Sequence, residues 1–201
     1  PNHSLMNIPP EQVAGVRELL RKTRRQGPIY PMIRGRVVEV NGIDAKQWDA
    51  RHRHPDDPGT RVGSERNLTW AAHVPKDNEV VLGEWWPSNE ERSLVSLEDE
   101  YARELYLKLG DRLTFDVAGV RVDAEVASLR RLDWESMQPN FFIIFSPAAL
   151  KDSAATYMTS FHLEREEKIF LNRLLSAYPT VTVIEVDAII AQVQIIVDQV
   201  T

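Results

Sequence analysis

The order strand–helix–strand can be read at both ends of this chain, and that repetition constrains the fold more than any other feature. At the start, Ser4-Leu5-Met6-Asn7-Ile8 reads as a short strand stopped by Pro9-Pro10. Proline is tolerated in a first helical turn, and Glu11 suits the positive end of the helix dipole. Val13, Val16, Leu19 and Leu20 then recur at helical spacing until Gly27-Pro28, and residues 29–43 alternate as a long strand. At the far end, residues 156–163 read as a strand. A helix over 165–178 carries Leu171, Leu174, Leu175 and Tyr178 on one face and stops at Pro179. Residues 180–186 are the clearest strand of the sequence, and an apolar helical pattern runs from about 187 to the end. Each half must bury one apolar face. The two are therefore expected to share one four-stranded sheet with two helices on one side, a split βαβ arrangement.

Between these halves the pattern is β-rich. Residues 44–66 hold a polar, charged run with Pro55 and Pro58, which reads as an exposed loop. Strands are expected near 67–73 and 79–83 with Lys76-Asp77-Asn78 as the turn. A helix follows over 97–109, capped by Ser96 and ended by Gly110, and residues 112–118 and 120–131 form a hairpin about Gly119. The apolar run 141–146 ends at Pro147. The fold class is thus α+β, with 1–45 plus 141–201 as the split βαβ subdomain and 46–140 as an inserted β-rich one.

Composition removes several functions. At 201 residues and 43% hydrophobic, the chain can bury a core, which excludes disorder as the main account. Its net charge of −6 opposes wrapping nucleic acid, which requires a basic field. It has no cysteine, so disulfides and thiolate chemistry are excluded. No stretch reaches the ~18 apolar residues that span a bilayer, and the start shows neither a basic nor an apolar signal-peptide region.

Candidate chemistry is sparse. His52, His54, Asp56 and Asp57 are metal-ligand types, but histidines two apart on a proline-broken loop are no established ligand spacing, and a solvated loop is the stronger reading. Glu84 beside Trp85 and Trp86 suggests stacking on a sugar with a general acid. Glycoside chemistry needs a second carboxylate that the sequence does not nominate, so core or interface tryptophans are preferred. No Gly-x-Ser-x-Gly elbow and no phosphate-binding loop is present. The basic run Arg21-Lys22-Thr23-Arg24-Arg25 reads as a solvated helix end. No catalytic residue, cofactor or metal is expected.

Several segments carry a resemblance. They are Met6-Asn7-Ile8-Pro9, Arg66-Asn67-Leu68-Thr69-Trp70, Gly83-Glu84-Trp85-Trp86, Val95-Ser96-Leu97-Glu98, Leu107-Lys108-Leu109-Gly110-Asp111, and the long run from Leu129 to Phe142 through Trp134-Glu135-Ser136-Met137-Gln138-Pro139-Asn140. In this order they resemble the large extracytoplasmic loop of ABC-transporter permeases of the FtsX/MacB superfamily, nearest to the YbbP-like ones. Residues 44–66 are the main departure. The resemblance implies a periplasmic domain of a bacterial inner-membrane protein, with a porter-like (ferredoxin-like) subdomain interrupted by a Sabre-like insert. It also implies a stalk helix over about 187–201 and both chain ends on one side of the molecule.

The implied function is non-catalytic. A cytoplasmic ATP-binding subunit would hydrolyse ATP, and this domain would pass on the motion (mechanotransmission) for export or extraction of a lipophilic substrate. A periplasmic protein or a lipid-like molecule would be the partner, with no nucleic acid. The alternative is an interaction module that regulates a periplasmic hydrolase. Trp85, Trp86, Trp134, Met137, Asn140, Phe141 and Phe142 are the candidate interface or structural residues.

Overall fold

The computed structural model describes residues 3–25, 27–133, 141–164 and 167–185, apart from the side chains of 168 and 185. They fall into two compact units: one drawn from 1–31 and 155–201, the other from 32–136 and 140–154.

The first unit holds β1 (His3–Ile8), α1 (Val13–Lys22), the start of β2 (Ile29–Val40), β10 (Thr156–Phe161), α5 (Lys168–Ala177) and β11 (Thr182–Glu185). Its strands lie in the order β11-β1-β10-β2, and β1 pairs antiparallel with both β10 and β11. Strict alternation would send Leu5 and Ile8 of β1 to opposite faces. The register shifts between them, with Asn7 in the left-handed region at φ 59°, so both are fully buried. They join Val16 and Leu20 of α1, Phe161 of β10, and Phe170 and Leu174 of α5 in one core. Gly15 lets Tyr178 pack on α1, since a Cβ there would lie 2.2 Å from its hydroxyl.

The second unit contains β3 (Ile43–Asp44), α2 (Ala45–His52), β4 (Arg66–Trp70), β5 (Asn78–Gly83), β6 (Leu94–Glu98), α3 (Asp99–Glu104), β7 (Arg112–Val117), β8 (Val120–Leu132), β9 (Ile143–Phe145) and α4 (Pro147–Leu150). Ladder pairs link six strands in a closed circuit: β2 to β4, β4 to β9, β9 to β6, β6 to β8, β8 to β7, and β7 back to β2. Phe115 of β7 and Phe145 of β9 start from opposite points of that circuit, yet their rings meet edge to face at 4.8 Å. Side chains therefore fill the middle, as in a small closed barrel. Strand β5 adds outside it on β8.

Three details differ from the sequence expectation. Residues 44–66 are not all loop: Asp44 accepts from the Lys46 N–H, starting α2, and Trp48 is buried with its indole N–H on the Leu105 carbonyl at 2.9 Å. The helix expected over 97–109 is only α3, because β6 runs on through Glu98, every residue of it buried. Glu98, not Ser96, caps α3. The strand expected over 29–43 is a long strand and a hairpin: Asn41 and Gly42, at φ 51° and 79°, turn β2 back into β3. The same geometry at Ala118-Gly119 makes the β7–β8 hairpin that alternation predicts. In addition, residues 32–45 and 141–154 pack in the second unit, since Ile33–Val40 ladder with β4 and β7, and β9 with β4 and β6. The expected helix over 187–201, and the chain ends, lie outside the described residues.

Candidate functional site

The candidate residues separate into three places in the second unit. The first is the tryptophan pair. Trp85 and Trp86 follow the end of β5, in a segment outside any strand. Their ring centroids are 4.1 Å apart, and their indole N–H groups donate to the neighbouring carbonyls of Ala72 and Ala71, each at 2.9 Å. Trp86 is buried and Trp85 half-buried. Both polar handles are spent on the backbone, which fits a structural pin for the segment 71–72. Glu84 is exposed beside them.

The second place is the inward face of β8, where Ala124, Val126, Ser128 and Arg130 are buried at every other position. Arg130 has no solvent exposure at all. Its Nε donates to Ser96 Oγ at 2.9 Å and its Nη1 to Asn78 Oδ1 at 2.5 Å. Its Nη2 reaches the carbonyls of Phe141, Phe142 and Ser96 at 2.9, 3.1 and 3.2 Å. Ser128 Oγ lies 2.7 Å from Ser96 Oγ and completes the network. Burial lowers the guanidinium pKa to about 10, opposed by the Glu98 carboxylate, so Arg130 stays a cation at neutral pH. Glu98 is itself buried; desolvation raises its pKa, although the N–H groups of Glu100 and Tyr101 donate to it at 3.0 and 2.6 Å.

Phe141 is buried and Phe142 half-buried. The Phe142 ring stacks on Tyr101 at 5.3 Å, and the Arg66 guanidinium sits 5.1 Å from one ring centroid and 5.5 Å from the other. Both phenylalanines thus serve the second unit's own packing. Trp134, Met137 and Asn140 lie outside the described residues. Sequence reasoning missed Arg130, because the hydropathy pattern inverts along β8: Ala127 and Leu129 are apolar, yet the buried positions are Ser128 and Arg130.

The third place is α2 with the loop after it. The His52 ring lies between Trp48 and Tyr106, at 4.2 and 5.0 Å, and its Nδ1–H donates to the Trp48 carbonyl at 2.8 Å. His54 Nδ1 instead accepts from the Asp56 N–H at 3.2 Å. The two histidines therefore serve different backbone bonds, and no group of three or more histidines and carboxylates that could hold a metal occurs among the described residues. Beside them opens a cavity of about 710 Å³ whose lining includes Arg36 and Val38 of β2, Ala45, Lys46 and Asp49 of α2, and Arg121 of β8. The basic run at the end of α1, in the first unit, is partly neutralised. Arg21 pairs with Glu18 at 2.6 Å, while Arg25 pairs with Glu167 and lies over the Phe170 ring.

Among the described residues, no helix is long and apolar enough to cross a membrane. No family model matches the chain. A crystal structure of a domain assigned to a permease protein of Porphyromonas gingivalis aligns over 90% of this chain and 88% of its own, at 9% identity and a TM-score of 0.42. The uncharacterized ABC transporter permease YbbP of Escherichia coli (strain K12) is 34% identical over 196 residues, which is 96% of this chain and 22% of that protein. By sequence, then, the chain is similar to a segment of a YbbP-type ABC transporter permease and spans about a fifth of that relative's length.

Proposed function

We propose that this chain is the extracytoplasmic, periplasmic part of an ABC transporter permease of the FtsX/MacB kind. On this reading it does no bond chemistry; it transmits motion driven by ATP hydrolysis in a separate cytoplasmic subunit to a lipophilic substrate or its carrier. The observation that carries the reading is the 34% identity to a permease across nearly all of this chain. Two features support it. The first unit has the strand order β11-β1-β10-β2 with α1 and α5 on a shared core, which suits a split βαβ, porter-like unit. The second is a barrel with a filled interior, the kind of body that moves as a unit, and is read as Sabre-like. Trp85, Trp86, Phe141 and Phe142 then act as structural pins of that body.

The test uses the full-length permease reconstituted with its ATP-binding subunit in proteoliposomes. Removing the 201-residue segment is expected to leave ATP turnover measurable while abolishing extraction of a fluorescent lipid analogue from the outer leaflet. Extraction at the unmodified rate without the segment would overturn the reading, as would turnover of any substrate by the isolated chain.

A further inference from the structure

We propose that the cavity between β2, α2 and the start of β8 is an anion site that takes a phosphate-bearing small molecule or headgroup. Five cations line it: Arg36, Lys46, Arg53, Arg61 and Arg121. Only two carboxylates, Asp44 and Asp49, share that lining, in a chain whose net charge is −6. The positive field here is therefore local and runs against the composition of the whole.

Two lining carboxylates, with Glu39 beside Arg121, offset only part of this charge, and the hydrogen bonds show how the rest is held. Asp44 is occupied by the Lys46 N–H at 3.1 Å, and both oxygens of Asp49 face the Val62 N–H at 3.3 Å. Arg53 donates to the carbonyls of Thr60 and Pro58, and Arg61 Nη2 to those of Pro55 and Asp57 at 3.0 Å. Neutral carbonyls order these side chains without cancelling their charge. Arg61 Nη1, buried, has no hydrogen-bond partner among the described residues. Arg36 and Lys46 are exposed, and their side chains make no hydrogen bond or ion pair among the described residues. Of the five, Arg121 is the one that meets a carboxylate among the described residues, Glu39 at 3.2 Å.

Several arginines converging from a strand, a loop and a second strand suit a multivalent oxyanion, because the planar guanidinium offers paired donors to phosphate oxygens. A cavity of about 710 Å³ falls within the range of ligand pockets and exceeds what a bare phosphate fills. Val38, Ala45 and Pro55 line the remainder, so an organic group attached to the phosphate has apolar surface to lie on.

The experiment titrates the 201-residue protein with glycerol 3-phosphate by calorimetry, and separately by flotation with phosphatidylcholine vesicles with and without phosphatidylglycerol. Saturable binding is expected in at least one arm, weakened by added salt. Binding in both arms identifies the phosphate group as the recognised element; binding to the phosphatidylglycerol vesicles alone identifies a lipid headgroup. The double variant Arg36→Gln, Lys46→Gln is expected to weaken the binding by about tenfold or more. The exposed control Arg112→Gln, whose side chain is not part of the cavity, should leave it unchanged. No saturable binding in either arm, or equal loss from the control and the double variant, would overturn the proposal. Both variants change exposed side chains, and a shared thermal unfolding midpoint shows that folding is unaffected.

Discussion

Arg130 and the arginines of the α2 cavity are the same side chain put to opposite uses within one unit. Arg130 is fully buried, and five donor contacts join its three nitrogens to Ser96, Asn78, Phe141 and Phe142. Its charge is held by carbonyl and hydroxyl dipoles with Glu98 nearby. Around the cavity, the side chains of Arg36 and Lys46 have solvent and no protein partner among the described residues. A saturated buried cation costs desolvation and returns a fixed geometry. An unsaturated exposed cation gives the fold almost nothing and keeps its donors for something else. The contrast separates a structural charge from a recognition charge by their hydrogen bonds alone.

The contrast breaks most readily at Arg130. Arg130→Met keeps an apolar stem but strips a partner from each of the carbonyls of Phe141, Phe142 and Ser96 and from the Asn78 side chain. A loss of about 3–5 kcal/mol is expected from the shift in the denaturant midpoint. An unchanged midpoint would show that the buried network does no structural work. Next comes Gly83, which pairs with Ser128 on the strand that carries Arg130. Gly83 has φ 74°, and a Cβ would lie 2.3 Å from the Ala127 carbonyl oxygen. Gly83→Ala is expected to lose about 1–3 kcal/mol from backbone strain alone, with the clash adding to it. Equal stability would mean that β5 is free to shift, and that the frame around Arg130 is looser than its hydrogen bonds imply.

How much of this was legible in the residues depended on whether the signal was local. The hairpin about Gly119 was readable because alternation on both sides and a glycine at the turn agree. The helix α2 was missed because Arg51-His52-Arg53-His54-Pro55 dominates its neighbourhood. Its evidence is Asp44 as a cap and Trp48 as an anchor, and the indole's partner, the Leu105 carbonyl, lies 57 residues away. The long strand β8 was readable as a strand. The role of Arg130 within it was not, because its partners come from β6, from Asn78 and from the segment at 141–142. The cavity cations come from positions as distant as 36 and 121, which only the closed circuit of strands brings together.

Glu98 sharpens the comparison from the side of the anion. Its pKa is raised above the ordinary 4.5, first by burial, so the folded protein favours its protonated form relative to the unfolded chain. The stability tied to that proton is fully present below the unfolded value of about 4.5 and is lost as pH rises through the folded one. Glu98→Gln, which can still accept from the Glu100 and Tyr101 N–H groups through its amide oxygen, is expected to remove this loss. Unfolding measured in a pH series should show the variant gaining on the parent as pH rises above 4.5. A constant difference across the series would mean that Arg130 compensates the carboxylate fully.

The smallest effect is expected at the cavity itself, and there a null result is informative. The side chains of Arg36 and Lys46 are exposed and spend no donor on other described residues, so the double variant Arg36→Gln, Lys46→Gln should change stability by no more than about 0.5 kcal/mol. The change should lean towards stabilisation at low salt, because two cations leave a region that holds Arg53, Arg61 and Arg121 as well. Denaturant midpoints of parent and variant, taken at low and at high salt, measure both the size and the sign. A loss approaching that of Arg130→Met would place these side chains among the structural charges and end the distinction. A gain that disappears at high salt would show that like charges are held together against their mutual repulsion, an arrangement that a bound anion relieves.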